Sequence, residues 1–309
     1  MIDTVSLTQP MMPRLSDRQL MNIGAVHPRG QTKWVINALK GEVFPSITFT
    51  TQPDGVQYMN ARQSLPRMRH RHNVILQTSQ SDIYDELELL AEAIYKRTKI
   101  RFNALEANVN SVDFTRDIRV GSNLITPTLK RLETRQLPRY ALVRYDNGVK
   151  FEMRSRTISI YSKYHEIYKQ VKKGTIPQEY HVNALQAADG VLRIESRHTL
   201  ESVRRLMNKG LYKTRRAKDV LTQELSEHVI SEFLEKIQFD GARDNSISNT
   251  PLDRLIAIHG PRVAMRLYGF LTMIEFYGKD FWKIDHLHFP RSTYYNNLRE
   301  CCSAGVWRV

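Results

Sequence analysis

The 309-residue chain has the composition of a globular protein, with 41% hydrophobic and 25% charged residues. Its 46 Lys and Arg outnumber 32 Asp and Glu, and this net charge of +14 favours a polyanionic partner. No apolar run approaches a bilayer span, the N-terminus lacks signal-peptide features, and two adjacent cysteines, Cys301 and Cys302, offer no disulfide framework. We therefore expect a cytoplasmic protein that binds nucleic acid and no membrane.

The first 80 residues are predicted to be rich in strands. The β-type segments there are MIDTVSL, TKWVINAL, SITFT, VQYMNARQ and residues 67–77. A helix, DIYDELELLAEAIYKRTK, follows a cap at Ser81 or Asp82, and another helix is predicted around residues 125–134. Further on, RYALVRY and VKFEMRS flank an Asn-Gly step, which predicts a β-hairpin.

Three separated stretches alternate one apolar face with one polar face. They are residues 109–120 (VNSVDFTRDIRV), 156–163 (RTISIYSK) and 191–197 (VLRIESR). Period-two alternation puts Asp113 and Asp117 on the first polar face, Tyr161 and Lys163 on the second, and Glu195 on the third. A half-solvated sheet accounts for any one of these strands alone. If the three strands pair in one sheet, these polar groups could line one surface.

These residue types suit the cleavage of a DNA phosphodiester. Carboxylates can hold a divalent cation, Mg²⁺ or Mn²⁺, which polarises the scissile phosphate and favours ionisation of a phenol whose ordinary pKa is about 10. A lysine adds positive charge for the pentavalent oxyanion. Attack by tyrosine, unlike attack by water, leaves a covalent 5′-phosphotyrosine that a later 3′-hydroxyl can reverse. The pattern therefore indicates a metal-dependent DNA-nicking enzyme.

Several segments resemble the replication initiators of filamentous phages, the gene II or Cri family. They are Met1-Ile2-Asp3, Ser64-Leu65-Pro66 with His72-Asn73, NSVDFT, RTISIYSKYHEI, GVLRIESR and FPRSTYYNNLRECCSAGV. The fourth also resembles the I-Y-x-K-x-x-E motif of rolling-circle initiators. The segments span most of the chain in the expected order.

The resemblance implies an endonuclease core related to rolling-circle initiators, which nicks the plus strand at the origin and later rejoins it. It assigns the nucleophile to Tyr161, the assisting basic residue to Lys163, and acidic positions to Asp113, Glu166 and Glu195. It also implies double-stranded origin DNA, the nicked single strand, and the host helicase and polymerase as partners.

Several roles stay open at the level of sequence. Glu166 could bind the metal, orient Lys163, or pair with a lysine on a helix surface. Tyr164 could be a second nucleophile, or it could share a helix face with Tyr168 and either pack or bind DNA. Asp117 is expected to form a surface ion pair with Arg116 or Arg119 rather than complete the site.

Two histidines, His70 and His72, are predicted to project from one strand face. The resemblance relates the family to endonucleases with a His-hydrophobic-His metal site, yet Arg71 stands here where an apolar residue is usual. Because the surrounding residues are cationic, contact with DNA phosphate is the first interpretation and metal binding the second.

From about residue 199 the sequence becomes helical, with a polar link at residues 241–250. Helices predicted at residues 261–277, 280–287 and 291–304 resemble a helix-turn-helix unit. The side chains expected to reach bases or phosphates are Arg291, Ser292, Thr293, Tyr294, Asn296 and Asn297. The alternative is a small helical bundle in which Tyr295, Leu298 and Cys302 face inward.

The predicted fold class is α+β: a mostly antiparallel sheet with helices on one side, then a helical region that ends in the helix-turn-helix-like unit. Residues 1–198 would form the catalytic nicking domain and residues 199–309 a helical DNA-binding or accessory domain. Two other functions remain compatible with the residues. They are a non-enzymatic, sequence-specific DNA-binding regulator and a metal-dependent nuclease that uses water.

Overall fold

The computed structural model describes residues 1–307 except 30, 40–41, 136, 238, 240–250, 285–286 and 305. Its strands are β1 (Ile2–Met11), β2 (Lys33–Ile36), β3 (Ser46–Thr51), β4 (Gln57–Ser64), β5 (Asn108–Arg119), β6 (Ala141–Tyr145), β7 (Gly148–Met153), β8 (Arg156–Ser162) and β9 (Val191–His198). They form a nine-stranded sheet in the order β2-β3-β4-β1-β5-β9-β8-β7-β6. Every ladder between these neighbours is antiparallel. The α+β class with a large antiparallel sheet is therefore confirmed.

Helices lie between the strands along the chain and follow the last of them. They are α1 (Asp17–Asn22), α2 (Leu65–His70), α3 (Gln80–Thr98), α4 (Ser122–Leu132), α5 (Lys163–Lys172), α6 (His181–Ala188), α7 (Leu200–Asn208), α8 (Ala217–Val220), α9 (Gln223–Lys236), α10 (Pro251–His259), α11 (Pro261–Tyr277) and α12 (Arg291–Ser303). In the described part of the chain, none of them combines the length and apolar character that a bilayer crossing needs.

The three alternating stretches pair side by side as β5, β9 and β8. Glu195 lies opposite Thr115 on one neighbour and opposite Ser159 on the other, which sets the register. Most of their apolar residues, among them Phe114 and Ile160, are buried in the main core. The polar residues of the same strands therefore share the opposite face of the sheet.

Helices cover both faces of the sheet, which corrects the prediction of helices on one side. The larger helices α3, α4, α7 and α9 contribute to the main core with the apolar sheet face. On the polar face, Arg193 of β9 bonds the carbonyl oxygens of Asn73 and Val74, and Val74 packs in a separate cluster with Ile167 of α5 and Ala184 of α6. The loop at Asn73 and Val74, together with α5 and α6, thus covers part of the polar face.

Residues 67–77, predicted as a strand, instead form the end of α2 and a loop. Pro66 lies in the first turn of α2, where its fixed φ favours a helix, and Arg71 ends the helix with φ of 61°. By contrast, the predicted hairpin is confirmed, because β6 and β7 join with Tyr145 opposite Gly148.

The C-terminal residues form a core of their own. Buried residues of α10, α11 and α12 cluster together, whereas α7, α8 and α9 contribute to the main core. The domain boundary at residue 198 stays a prediction, and the predicted link at residues 241–250 lies outside the described residues. Of the helix predicted at 280–287, residues Phe281–Lys283 form a short 3-10 turn, and residues 285–286 lie outside the described part of the chain.

Candidate active site

A cavity of about 370 Å³ opens on the polar face of the sheet. The phenol Tyr161 lines it together with the carboxylates Asp113, Glu166 and Glu195, all of which sequence reasoning had singled out. A fourth carboxylate, Asp3 of β1, lines the same cavity. One surface therefore brings together a candidate nucleophile and four acidic side chains from four segments of the chain.

The hydroxyl of Tyr161 donates a 2.5 Å hydrogen bond to Oε1 of Glu195 on the neighbouring strand. Burial raises the pKa of Tyr161 well above its ordinary value, and the nearby charge of Glu195 adds to the effect. The phenol is therefore protonated at neutral pH, and any attack by its oxygen needs a group that accepts the proton. Glu195 is already in contact with that proton.

Glu195 is a carboxylate whose ionisation falls near neutral pH. Burial raises its pKa to about 7, and the charge of Asp3 is the second cause. Its Oε2 atom accepts no hydrogen bond from any described residue, whereas Oε1 is held by Tyr161. This carboxylate thus has one oxygen for the phenol and one available for another ligand.

Lys163 begins helix α5 directly after β8, and its side chain is fully buried. Its Nζ donates to Oδ1 of Asn73 at 3.0 Å and to Oε2 of Glu166. Burial lowers the pKa of Lys163, as does the charge of Arg193, while Glu166 acts in the opposite direction. Because Glu166 also accepts from Gln170, both of its oxygens are engaged, and the arrangement favours the interpretation that Glu166 orients Lys163.

Asp3 is the functional candidate that sequence reasoning missed. It is buried, and it accepts from Ser64 at 2.6 Å and from Nδ2 of Asn73 at 3.1 Å. Nη1 of Arg193 lies 3.7 Å from its Oδ2 atom, and the pKa of Asp3 is lowered because these partners outweigh its burial. The available signal was its place in the Met1-Ile2-Asp3 segment of the family resemblance.

Arg193 of β9 connects the loop at Asn73 and Val74 to the sheet. Its guanidinium is fully buried, and it donates to both oxygens of Asp117, at 2.6 and 2.7 Å. It also donates to the carbonyl oxygens of Asn73 and Val74. Asp117 therefore pairs with a buried arginine on the neighbouring strand, whereas the expected partners were Arg116 or Arg119 on the surface.

Asp113 lies on β5 directly opposite Arg197 of β9. Its oxygens accept from Nε of Arg197 at 2.9 Å and from Nη2 at 2.8 Å, and Asp113 itself is buried. The Arg197 side chain is 53% exposed, so it can swing away without opening the core. Asp113 can therefore exchange this partner for a ligand in the cavity.

The donor set of the cavity fits a hard divalent cation. Carboxylate oxygens are what Mg²⁺ and Mn²⁺ prefer, and Mg²⁺ is commonly held by one or two carboxylates together with substrate phosphates. Among the described residues no preassembled group of three His, Cys, Asp or Glu ligands occurs. The available Oε2 of Glu195 and the exchangeable Asp113 are thus suited to a site completed by the phosphate.

The two histidines lie beside the site, in a different setting from the predicted strand. His70 ends α2, His72 is buried in the loop that follows, and their rings stack with centroids 6.2 Å apart. Burial lowers the pKa of both, so both are neutral at pH 7. Direct contact of His72 with phosphate would require it to leave its pocket, and both roles remain predictions.

Helix α12 begins at Arg291 as predicted, but its inward face differs from the expectation. Tyr294 and Asn297, expected to contact DNA, are buried; Tyr294 donates to the carbonyl oxygen of Lys279 at 2.6 Å and packs on Phe270. Tyr295, expected inward in the bundle alternative, is exposed. The other candidates stay on the surface. They are Arg291, Ser292, Thr293 and Asn296.

Comparison with protein-family models places these residues in a known family. The model of the N-terminal region of the phage CRI replication-associated protein matches residues 1–221. The chain belongs to this family. The matched range contains every residue that lines the cavity, so the candidate site lies within the region that defines the family. No curated protein and no solved structure matches the chain.

Proposed function

We propose that this member of the phage replication-associated family initiates rolling-circle replication. It would nick the plus strand at a phage or plasmid origin and later rejoin it, with Tyr161 as nucleophile and a 5′-phosphotyrosine as intermediate. The observation that carries the proposal is the contact of the Tyr161 hydroxyl with Glu195 in a cavity shared with Asp3 and Asp113.

The first proton transfer of the proposed chemistry uses groups already in contact. The Tyr161 oxygen attacks phosphorus, its proton passes to Glu195, and the bond between phosphorus and the 3′-oxygen breaks; the departing oxygen takes a proton from solvent and becomes a 3′-hydroxyl. In the reverse step a 3′-hydroxyl attacks the phosphotyrosine, and the phenol recovers its proton. Because the covalent linkage conserves the bond energy, rejoining needs no external energy source.

The start of α5 suits the scissile phosphate. Ser162 lines the cavity, and in the described structure its side chain makes no capping hydrogen bond to α5. The free N–H groups and the positive end of the helix dipole favour an anion there. The buried Lys163 adds positive charge behind two residues that line the cavity, Asn73 and Glu166, to which its ammonium donates.

A divalent cation, Mg²⁺ or Mn²⁺, would be held by Glu195 and Asp113. Glu166, the other acidic residue that the resemblance assigns, would orient Lys163 because Lys163 and Gln170 engage its two oxygens. When bound, such an ion polarises the phosphate and favours the ionised phenol. The chain itself supplies the alignment of the phenol, the proton acceptor and the positive charge of Lys163.

Surfaces outside the cavity would hold the rest of the substrate. The exposed side chains Arg291, Ser292, Thr293 and Asn296 of α12 are proposed to contact double-stranded origin DNA, and His70 the phosphate backbone. The host helicase and polymerase are proposed as partners that extend the nicked strand.

A nicking assay tests this function against its alternatives. The full chain is incubated with Mg²⁺ and the supercoiled replicative-form DNA of the phage that encodes it. The proposal expects relaxed circles with protein bound to a DNA 5′ end. Binding without a break would favour a non-enzymatic regulator, and a break with a free 5′-phosphate would favour a nuclease that uses water.

The nicking rate should rise with pH to a plateau, because Glu195 must be ionised to accept the phenol proton or bind a cation. Burial raises the pKa of Glu195 to about 7, and a bound cation would move the midpoint of the profile below that value. Below the midpoint the carboxyl is protonated and inactive, and above it the rate should level off. Single-turnover rates from about pH 5.5 to about pH 8.5 measure this. Glu195→Gln should be slow at every pH and lose the dependence; a wild-type rate independent of pH across this range would contradict the assignment.

A further inference from the structure

Two exposed tyrosines lie on α5, the helix that begins at the candidate site. Tyr164 is 37% exposed and Tyr168 is 41% exposed. Their rings are nearly parallel, with 8° between the planes and centroids 6.4 Å apart. Aromatic side chains of a helix ordinarily pack toward a core. An exposed parallel pair therefore indicates a surface that could bind a ligand.

The two tyrosines lie on a different face of α5 from its buried side. The helix buries Lys163 and Ile167, whereas Tyr164, Tyr168 and Lys172 follow one another at four-residue steps on the exposed side. Nζ of Lys172 lies 4.6 Å from the ring centroid of Tyr168, and Lys172 pairs with no carboxylate among the described residues. Tyr164, Tyr168 and Lys172 therefore form a stripe along α5 that is aromatic and positively charged.

The stripe starts where the scissile phosphate would bind. Tyr164 lies in the first turn of α5, three residues after Tyr161, and Glu166 and Lys169 of the same helix line the cavity. At about 100° per residue, these two residues and the tyrosines occupy opposite flanks of α5, with the helix N-terminus between them. A strand whose phosphate sits at that N-terminus can place the adjoining nucleotides along the tyrosine flank.

The dimensions suit stacked bases. A four-residue step on a helix rises about 6 Å, and successive bases of a stacked strand are about 3.4 Å apart. Two rings at this spacing can thus support two or so unpaired bases. A ring face accepts any base, while the cation beside it attracts the backbone.

We propose that Tyr164 and Tyr168 form a stacking platform for unpaired nucleobases next to the phosphodiester that Tyr161 attacks. This inference rests on the proposed function for the identity of the strand. It gives Tyr164 a binding role through its ring, so its hydroxyl is dispensable and it is not a second nucleophile.

Binding can be measured apart from cleavage. The parent is the full chain with Tyr161→Phe, and the probe is a fluorescent single-stranded oligonucleotide of origin sequence followed by anisotropy. Tyr164→Ala and Tyr168→Ala should each weaken binding about tenfold, whereas Tyr164→Phe and Tyr168→Phe should bind like the parent. An oligonucleotide with abasic sites next to the cut position should bind parent and alanine variants alike.

Tyr95→Ala is the matched control, because Tyr95 is an exposed tyrosine on α3 with Lys99 over its ring. It should leave binding unchanged, and thermal unfolding of each variant checks that the fold is kept. Alanine variants that bind like the parent would overturn the platform, and so would phenylalanine variants as weak as the alanine ones. Nicking by the chain with Tyr161 intact is scored separately, so loss of the platform and loss of the nicking function give different results.

Discussion

Replacing Tyr161 by phenylalanine should reduce nicking of origin DNA by roughly 10⁴-fold or more. Phenylalanine keeps the ring in place but removes the oxygen that would bond to phosphorus. Because Tyr161 lies on β8 with its hydroxyl on Glu195, the change removes one hydrogen bond and little packing. Binding to the same DNA, measured by anisotropy, should therefore stay within about threefold of wild type.

The matched control for this change is Tyr95→Phe, which removes a hydroxyl from an exposed tyrosine of α3. It should nick at the wild-type rate. If Tyr161→Phe keeps most of its activity, the break is made by water, and Tyr161 is a structural partner of Glu195. The two variants together thus separate a tyrosine nucleophile from a hydrolytic nuclease.

Replacing Arg193 by methionine should lower the free energy of unfolding by about 3–5 kcal/mol. The guanidinium is fully buried, and its loss would leave Asp117 and the carbonyl oxygens of Asn73 and Val74 without their donors. Methionine fills part of the volume of the arginine side chain but supplies no hydrogen-bond donor. Urea unfolding, followed by circular dichroism, measures the change.

Arg144→Met provides the control for the same chemical change at an exposed strand position. Arg144 is 66% exposed, and its Nε lies 3.8 Å from a carboxylate oxygen of Glu133. Such a surface pair contributes little, so the control should change stability by less than about 1 kcal/mol. Equal effects of the two substitutions would show that Arg193 does not hold the loop at Asn73 onto the sheet.

The candidate site was predictable wherever its geometry is local. Alternation along a strand has a period of two, so Asp113, Tyr161 and Glu195 could each be assigned to a polar face without knowing the fold. Their convergence depends on the strand order β5-β9-β8, which local patterns do not encode. The complete burial of Lys163 beside Asn73 could not be predicted, because it is a tertiary property.

Asp3 shows why the rest could not be predicted. It reaches the site because β1 pairs with β5, about a hundred residues later in the chain, and that pairing leaves no local signal. The strand predicted around His70 was wrong for another reason. Its alternating Arg and His residues imitate the pattern of a strand, but Pro66 lies in the first turn of a helix. In α12, two adjacent tyrosines made the helical phase ambiguous, and the structure buries Tyr294 rather than Tyr295.

If Tyr161 is the nucleophile, its oxygen becomes covalently joined to DNA. Mass spectrometry of the protein after it reacts with origin DNA and Mg²⁺, followed by nuclease and protease digestion, measures this directly. We expect a nucleotide attached through its 5′-phosphate to the peptide that contains Tyr161, with fragmentation placing it on that side chain. Cleaved DNA with no modified peptide, or with the nucleotide on Tyr164, would contradict it.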